Sequence, residues 1–198
     1  AYFISNTYKI PHGGYWSLII AAIPFGIIML YTRGQRKLYN ALQPLPLDVF
    51  LPSYNQIYAA VPKIRGTALY FAKDARDVPP YVVHTMFKNN IIYEDNIIVS
   101  IVRREDPFGI TGYFKADLAP GLRAFEIQMG YMEIPEVEEI LREAGIHEKT
   151  IFYGVEDITA TNILWQAFSV MKKLTPNIVQ FFKLPANKLH GVVTRVEM

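Results

Sequence analysis

The sequence predicts an α/β protein: one transmembrane helix followed by a cytosolic α/β domain with a mixed sheet. Three observations carry this. Residues 13–32 hold no charged side chain, and at about 1.5 Å per helical residue that run reaches roughly 30 Å, the thickness of a bilayer's hydrocarbon core. Arg33, Arg36 and Lys37 follow at once, as the positive-inside rule expects of a cytoplasmic flank. Beyond residue 65, short apolar or β-branched runs alternate with apolar residues at helical spacing, the pattern of strands alternating with helices.

Within the charge-free run, Tyr15 and Trp16 stand at one end and Tyr31 at the other, where amphipathic rings meet the two membrane interfaces. The rival reading is a buried helix in a soluble core. Such a helix usually turns a polar face to solvent, and here only Ser17 and Thr32 are strongly polar. Pro24 and Gly26 weaken a helix in water but are better tolerated in a membrane. No Gly-x-x-x-Gly pattern favours self-association through the span.

Composition agrees with one span joined to a globular domain. Of 198 residues 51% are hydrophobic, and the mean hydropathy of +0.13 lies between soluble and polytopic proteins. Lys+Arg number 20 against Asp+Glu 18, a net +2, which argues against nucleic acid as a main partner. There is no cysteine, hence no disulfide framework and no thiolate metal site. The chain starts at Ala1, and Tyr2-Phe3-Ile4-Ser5-Asn6 looks like the end of another apolar element without a signal-peptide pattern. The expectation is a fragment that starts inside a longer membrane protein.

In order, residues 1–42 are expected to be the end of a membrane domain with its final span at 13–32, after a Pro11 and Gly13-Gly14 loop. Leu38, Tyr39 and Leu42 continue the helical pattern until Gln43-Pro44-Leu45-Pro46 stops it. Residues 43–64 form a juxtamembrane linker, carrying a helical stripe of Phe50, Leu51, Tyr54, Ile57 and Tyr58. Residues 65–198 form the cytosolic domain. Its strands are predicted over 66–72, 96–102, 125–131, 150–155 and 188–196, with a short edge segment at Tyr113-Phe114. Phe125, Ile127, Met129 and Tyr131 alternate with Glu126, Gln128 and Gly130, so that strand should bury one face. Helices are predicted from Pro80 to Lys88, from Pro135 to the Gly145 stop, and through Leu164, Trp165, Phe168, Val170 and Met171.

Several pieces in the same order resemble the KUP/HAK/KT potassium uptake transporters. Lys9-Ile10-Pro11-His12-Gly13-Gly14-Tyr15-Trp16 resembles the loop and start of that family's last membrane helix. Arg65-Gly66-Thr67-Ala68 is similar to its Pro-Gly-Thr-Ala segment, with Arg65 replacing the proline. Val78-Pro79-Pro80 with His84, Tyr131-Met132-Glu133 with Pro135, and Phe182-Lys183-Leu184-Pro185-Ala186-Asn187-Lys188 resemble further family segments. A clear Leu-Gly-Arg-Glu is missing; Tyr153-Gly154-Val155-Glu156 stands there instead.

The resemblance implies a multi-pass cell-membrane potassium importer, commonly proton-coupled, with residues 33–198 cytoplasmic. K+ and H+ would be the ions carried by the whole protein. Expected partners are membrane lipid, the upstream helices of the same transporter and a second copy in a homodimer. Ion ligands are expected in those upstream helices, so no residue here is assigned to an ion, and no catalytic or metal site is expected. Because some family members bind a cyclic dinucleotide, a nucleotide effector is a further implication. Lys73, Asp74 and Arg76, in the loop after the first strand, are the candidate contacts, although a charged loop is usually only solvated and no Gly-rich phosphate loop accompanies it. Two other classes remain open: a membrane-anchored nucleotide-sensing or adaptor protein that does not itself transport, and a tethered enzyme. For the enzyme, His84, His147, Asp157 and Tyr93-Glu94-Asp95 are the only catalytic material, in no recognised spacing.

Overall fold

The computed structural model describes residues 15–74, 76–175, 182 and 184–197. Its first element, α1, runs unbroken from Tyr15 to Leu42. The span therefore continues into the predicted extension as one helix. Pro24 lies inside it, and its apolar N-terminal half, residues 15–29, is exposed; α1 is long and apolar enough to cross a membrane. Gln43 adopts a left-handed φ of 45°, and Pro44 behind it cannot continue a helix. Gly13 and Gly14 lie outside the described residues.

Segment 43–64, expected as a linker, is structured. It carries β1 (Leu45–Pro46) and α2 (Leu47–Ala60), whose Phe50 and Tyr54 are fully buried. Then follow β2 (Ile64–Ala72), β3 (Asp77–Val78) and α3 (Pro80–Val83), which continues as a wider π turn over His84–Lys88. β4 (Tyr93–Arg103), β5 (Ile110–Ala119) and β6 (Leu122–Met129) lead to α4 (Val137–Glu143), closed by Gly145 at φ 72°. β7 (Glu148–Thr159), α5 (Ile163–Leu174) and β8 (Leu189–Glu197) complete the described chain.

The six-stranded sheet has the order β5-β6-β4-β2-β7-β8. β5 and β6 form an antiparallel hairpin, and all the other neighbours are parallel, so the sheet is mixed. Helices cover both faces. On one, α2 and α3 bury Phe50, Tyr54, Val82 and Met86 against Tyr70, Ile98 and Leu122. On the other, Val137 and Leu141 of α4 pack on Leu69, Phe71, Val99 and Phe125. A third cluster joins Leu38 of α1 to Phe168 of α5, Ile158 and Val196.

Two strands differ from the expected pattern. The edge segment at Tyr113-Phe114 is part of a ten-residue strand, and β6 buries both faces, with Glu126 only 5% exposed. The cause is the hairpin. From β5, Lys115 pairs with Glu126, and Tyr113 donates to it at 2.8 Å; Gln128 donates at 2.9 Å. Lys115, then Gln128, hold the Glu126 carboxyl below the usual carboxylate range. Its folded-state pKa is thus depressed. The matching stability is present above the unfolded pKa and disappears as pH falls through the folded one. Glu126→Gln is expected to lower stability at neutral pH and to flatten the acid limb of a stability–pH curve below about pH 4. Urea midpoints across that range check it.

Candidate functional site

The strand order reverses between β2 and β7: from β2 the chain proceeds outward through β4 and β6, then returns to β7 on the other side. Parallel α/β sheets form their ligand crevices at such switch points, outside the carboxyl ends of the strands. Here β2 and β7 stay paired as far as Tyr70 and Phe152. Where they part, the buried Tyr81 hydroxyl donates to the Phe71 carbonyl at 2.7 Å, with the Phe152 carbonyl at 3.3 Å. Tyr81 seals the floor. Gly154 leaves room for it, since a Cβ there would stand 2.9 Å from the ring.

Above that floor is a cleft of about 230 Å³. Its lining comes from separate segments of the chain, among them Gln35, Leu38 and Tyr39 of α1, Lys73 and Asp74 after β2, Asp77 of β3, Glu156 of β7, and Lys172 of α5. The β1–β3 ladder, with Leu45 opposite Val78 and Pro46 opposite Asp77, ties the α1 exit to the loop after β2. Tyr39 Oη donates to Asp77 at 3.1 Å, and the Lys73 ammonium lies 5.2 Å from the Tyr39 ring centroid. Lys172 and Glu156 approach to 3.9 Å. Tyr39→Phe is expected to remove about 1 kcal/mol of this docking, measured as a lower unfolding midpoint that Asp77→Asn in the same chain does not lower much further.

The three candidate effector residues separate. Lys73 and Asp74 line the cleft. Arg76 is turned outward with its side chain 87% exposed, and its guanidinium binds Asp74 at 2.9 Å. That contact, led by the Arg76 hydrogen bond, lowers the Asp74 pKa. Gln35, Tyr39, Glu156 and Lys172 were not singled out from the sequence as site residues. They are ordinary helix and strand positions there, and only the topology brings them together.

The six interface candidates lie along α1. Tyr15 and Trp16 are exposed, ring against ring at 5.2 Å. Tyr31 packs on Phe168 at 6.0 Å and receives a hydrogen bond from Gln35 at 2.9 Å. Arg33 and Arg36 stand beside Phe25, Ile28 and Met29 along a shallow groove. Lys37 lies over the Trp165 ring at 4.5 Å.

The catalytic candidates are engaged separately. Asp95 holds Arg123 at 2.7 Å and Thr67 at 3.1 Å, Tyr93 pairs with Thr150 at 2.9 Å, and Asp157 lies 3.5 Å from Arg195. His84 faces a different hollow with Phe87 and Lys88. Among the described residues, no group of three or more His, Cys, Asp or Glu could hold a metal ion.

Comparison with known proteins matches both parts of the chain. Residues 65–198 match the K+ potassium transporter C-terminal domain, and residues 1–36 match the K+ potassium transporter integral membrane domain. A probable potassium transport system protein Kup of Methanosarcina acetivorans is 58% identical over 197 residues, covering 100% of this chain and 33% of the relative. One from Geotalea uraniireducens is 56% identical over 197 residues and Kup 1 of Geobacter metallireducens 58% over 198, with the same two coverages. The chain thus spans about a third of the length of these relatives. No solved structure matches.

Proposed function

Because this chain belongs to the K+ potassium transporter family, we propose that it forms the last membrane helix and the cytosolic domain of a potassium ion uptake transporter. Potassium is taken from the relatives, which are named as probable potassium transport proteins. Transport is coupled to protons, with the relay upstream, since a relay needs carboxylate, histidine or similar groups within the membrane and residues 15–32 hold no Asp, Glu, His, Lys or Arg. The whole protein is multi-pass, and residues 33–198 are cytoplasmic.

The domain's role is regulatory. One observation carries this reading: α1 is a single helix that spans at one end and lines the switch-point cleft at the other. A ligand in the cleft would touch the sheet and the membrane helix at once. Lys73 and Lys172 are the cations a nucleotide phosphate would meet, among three carboxylates of the same lining, Asp74, Asp77 and Glu156; Asp74 is engaged by Arg76 and Asp77 by Tyr39. At about 230 Å³ the cleft is below the usual range for drug-sized ligands. It therefore suits part of a cyclic dinucleotide, with the remainder held by a second copy in a homodimer.

The test is potassium uptake in an uptake-deficient host by the full-length protein and by a version truncated after Thr32. Truncation is expected to change uptake or its control. Equal uptake under all potassium concentrations would remove the domain from the transport cycle. Calorimetric titration of the full-length protein with cyclic dinucleotides should give heat that Lys73→Ala reduces; no heat would leave dimerisation as the domain's role.

A further inference from the structure

We propose that α5 is a membrane-surface helix whose outer face rests in the headgroup–acyl boundary of the cytoplasmic leaflet. The inference builds on α1 crossing the bilayer. α5 is amphipathic in an unusual sense, because two of its faces are apolar. One is used: Phe168 is fully buried against α1 and the sheet, with Trp165 beside it. The other is bare. Ile163, Ala167, Val170 and Leu174 recur at intervals of four, three and four, which places them in one row along the helix. All four are exposed, Ile163 at 80% and Leu174 at 79%.

The level of this row in the molecule selects lipid as its occupant. Phe168 packs on Tyr31 at 6.0 Å and against Gly34, and Leu30 joins the same cluster. Leu30 and Tyr31 close the charge-free run, and Arg33 is its first cation. α5 is thus held beside the final turn of the span, where the membrane surface must lie if α1 crosses it.

Charge agrees with that occupant. α5 contains no acidic residue. Lys173 is exposed beside the row, and Arg33 and Arg36 are exposed on α1. An apolar stripe bordered by cations is the pattern of a helix lying on an anionic leaflet.

These 198 residues hold no cysteine, so single-cysteine spin labels are placed in the full-length protein once any cysteine outside them has been replaced by serine. Ile163→Cys, Val170→Cys and Leu174→Cys probe the row. Ile20→Cys marks the span, and His147→Cys marks exposed domain surface. The protein is reconstituted into phosphatidylcholine–phosphatidylglycerol vesicles, and relaxation by oxygen is compared with relaxation by a water-soluble nickel chelate. The three row labels are expected to favour oxygen, at a depth of about 5–10 Å, and the His147 label to favour nickel. With the Ile20 label in lipid, row labels as open to nickel as His147, or shielded from both reagents by protein, would overturn the proposal. An Ile20 label reached by nickel would overturn it together with the membrane reading on which it rests.

Discussion

Gly34→Leu is expected to force α5 off α1. A Cβ at Gly34 would stand 2.2 Å from the Phe168 ring, with two further ring atoms at 2.5 Å. That ring is fully buried, so it cannot retreat unless the helix carrying it moves. Overpacking of this kind costs about 1–3 kcal/mol, and leucine belongs at the upper end. Trp165 offers a direct readout, because it packs in the same cluster and sits under Lys37. With Trp16→Phe as background it is the sole tryptophan of these 198 residues, and any tryptophan outside them is replaced by phenylalanine as well. Gly34→Leu should shift its emission to the red and lower the first unfolding midpoint. Unchanged emission at wild-type stability would refute the contact, and partial recovery by Phe168→Leu would tie the effect to this pair.

The second large effect is expected at Asn96, which is fully buried on β4. Its Oδ1 accepts from the Tyr93 amide at 3.2 Å. Its Nδ2 donates to the Tyr93 carbonyl at 2.8 Å, the Gly121 carbonyl at 3.0 Å and the Tyr54 hydroxyl at 3.3 Å. One amide therefore locks the start of β4 to the β5–β6 turn and to α2. Asn96→Leu fills similar volume but strands the Tyr93 amide and carbonyl, at a cost of about 3 kcal/mol for the two groups. Asn96→Asp should behave differently: a carboxylate would face two carbonyls, so its pKa would rise and stability would recover as pH falls. Urea midpoints for both variants at neutral and mildly acid pH distinguish a hydrogen-bonding role from simple space filling.

Sequence patterns revealed what local chemistry determines. The span, the αL stop at Gly145 and the buried β4 core each follow from residues close together in the chain. The β5 strand was visible only as Tyr113-Phe114, because most of its residues stay exposed and its pairing with β6 makes it a strand. Glu126 misled for the same reason. Alternation marks it as solvent-facing, and only the partner strand brings Lys115 and Tyr113 over it. The cleft was half legible: Lys73 and Asp74 are adjacent in sequence, whereas Tyr39, Glu156 and Lys172 arrive from residues scattered over the whole chain. Arg76 looked equivalent to Lys73, but its side chain is committed to Asp74 within its own loop.

The unbroken course of α1 makes it a lever. Pro24 removes one internal hydrogen bond in the middle of the span, which makes that point the natural pivot. Tyr39 is fifteen residues further on, roughly 22 Å along the axis, so a tilt of about 10° at Pro24 would carry it roughly 4 Å sideways. That displacement exceeds the reach of the Tyr39–Asp77 hydrogen bond. If α1 crosses the membrane as proposed, a small rocking of it would be enough to unlatch it from the rim of the cleft, and a ligand pinning the rim would resist the rocking by the same leverage.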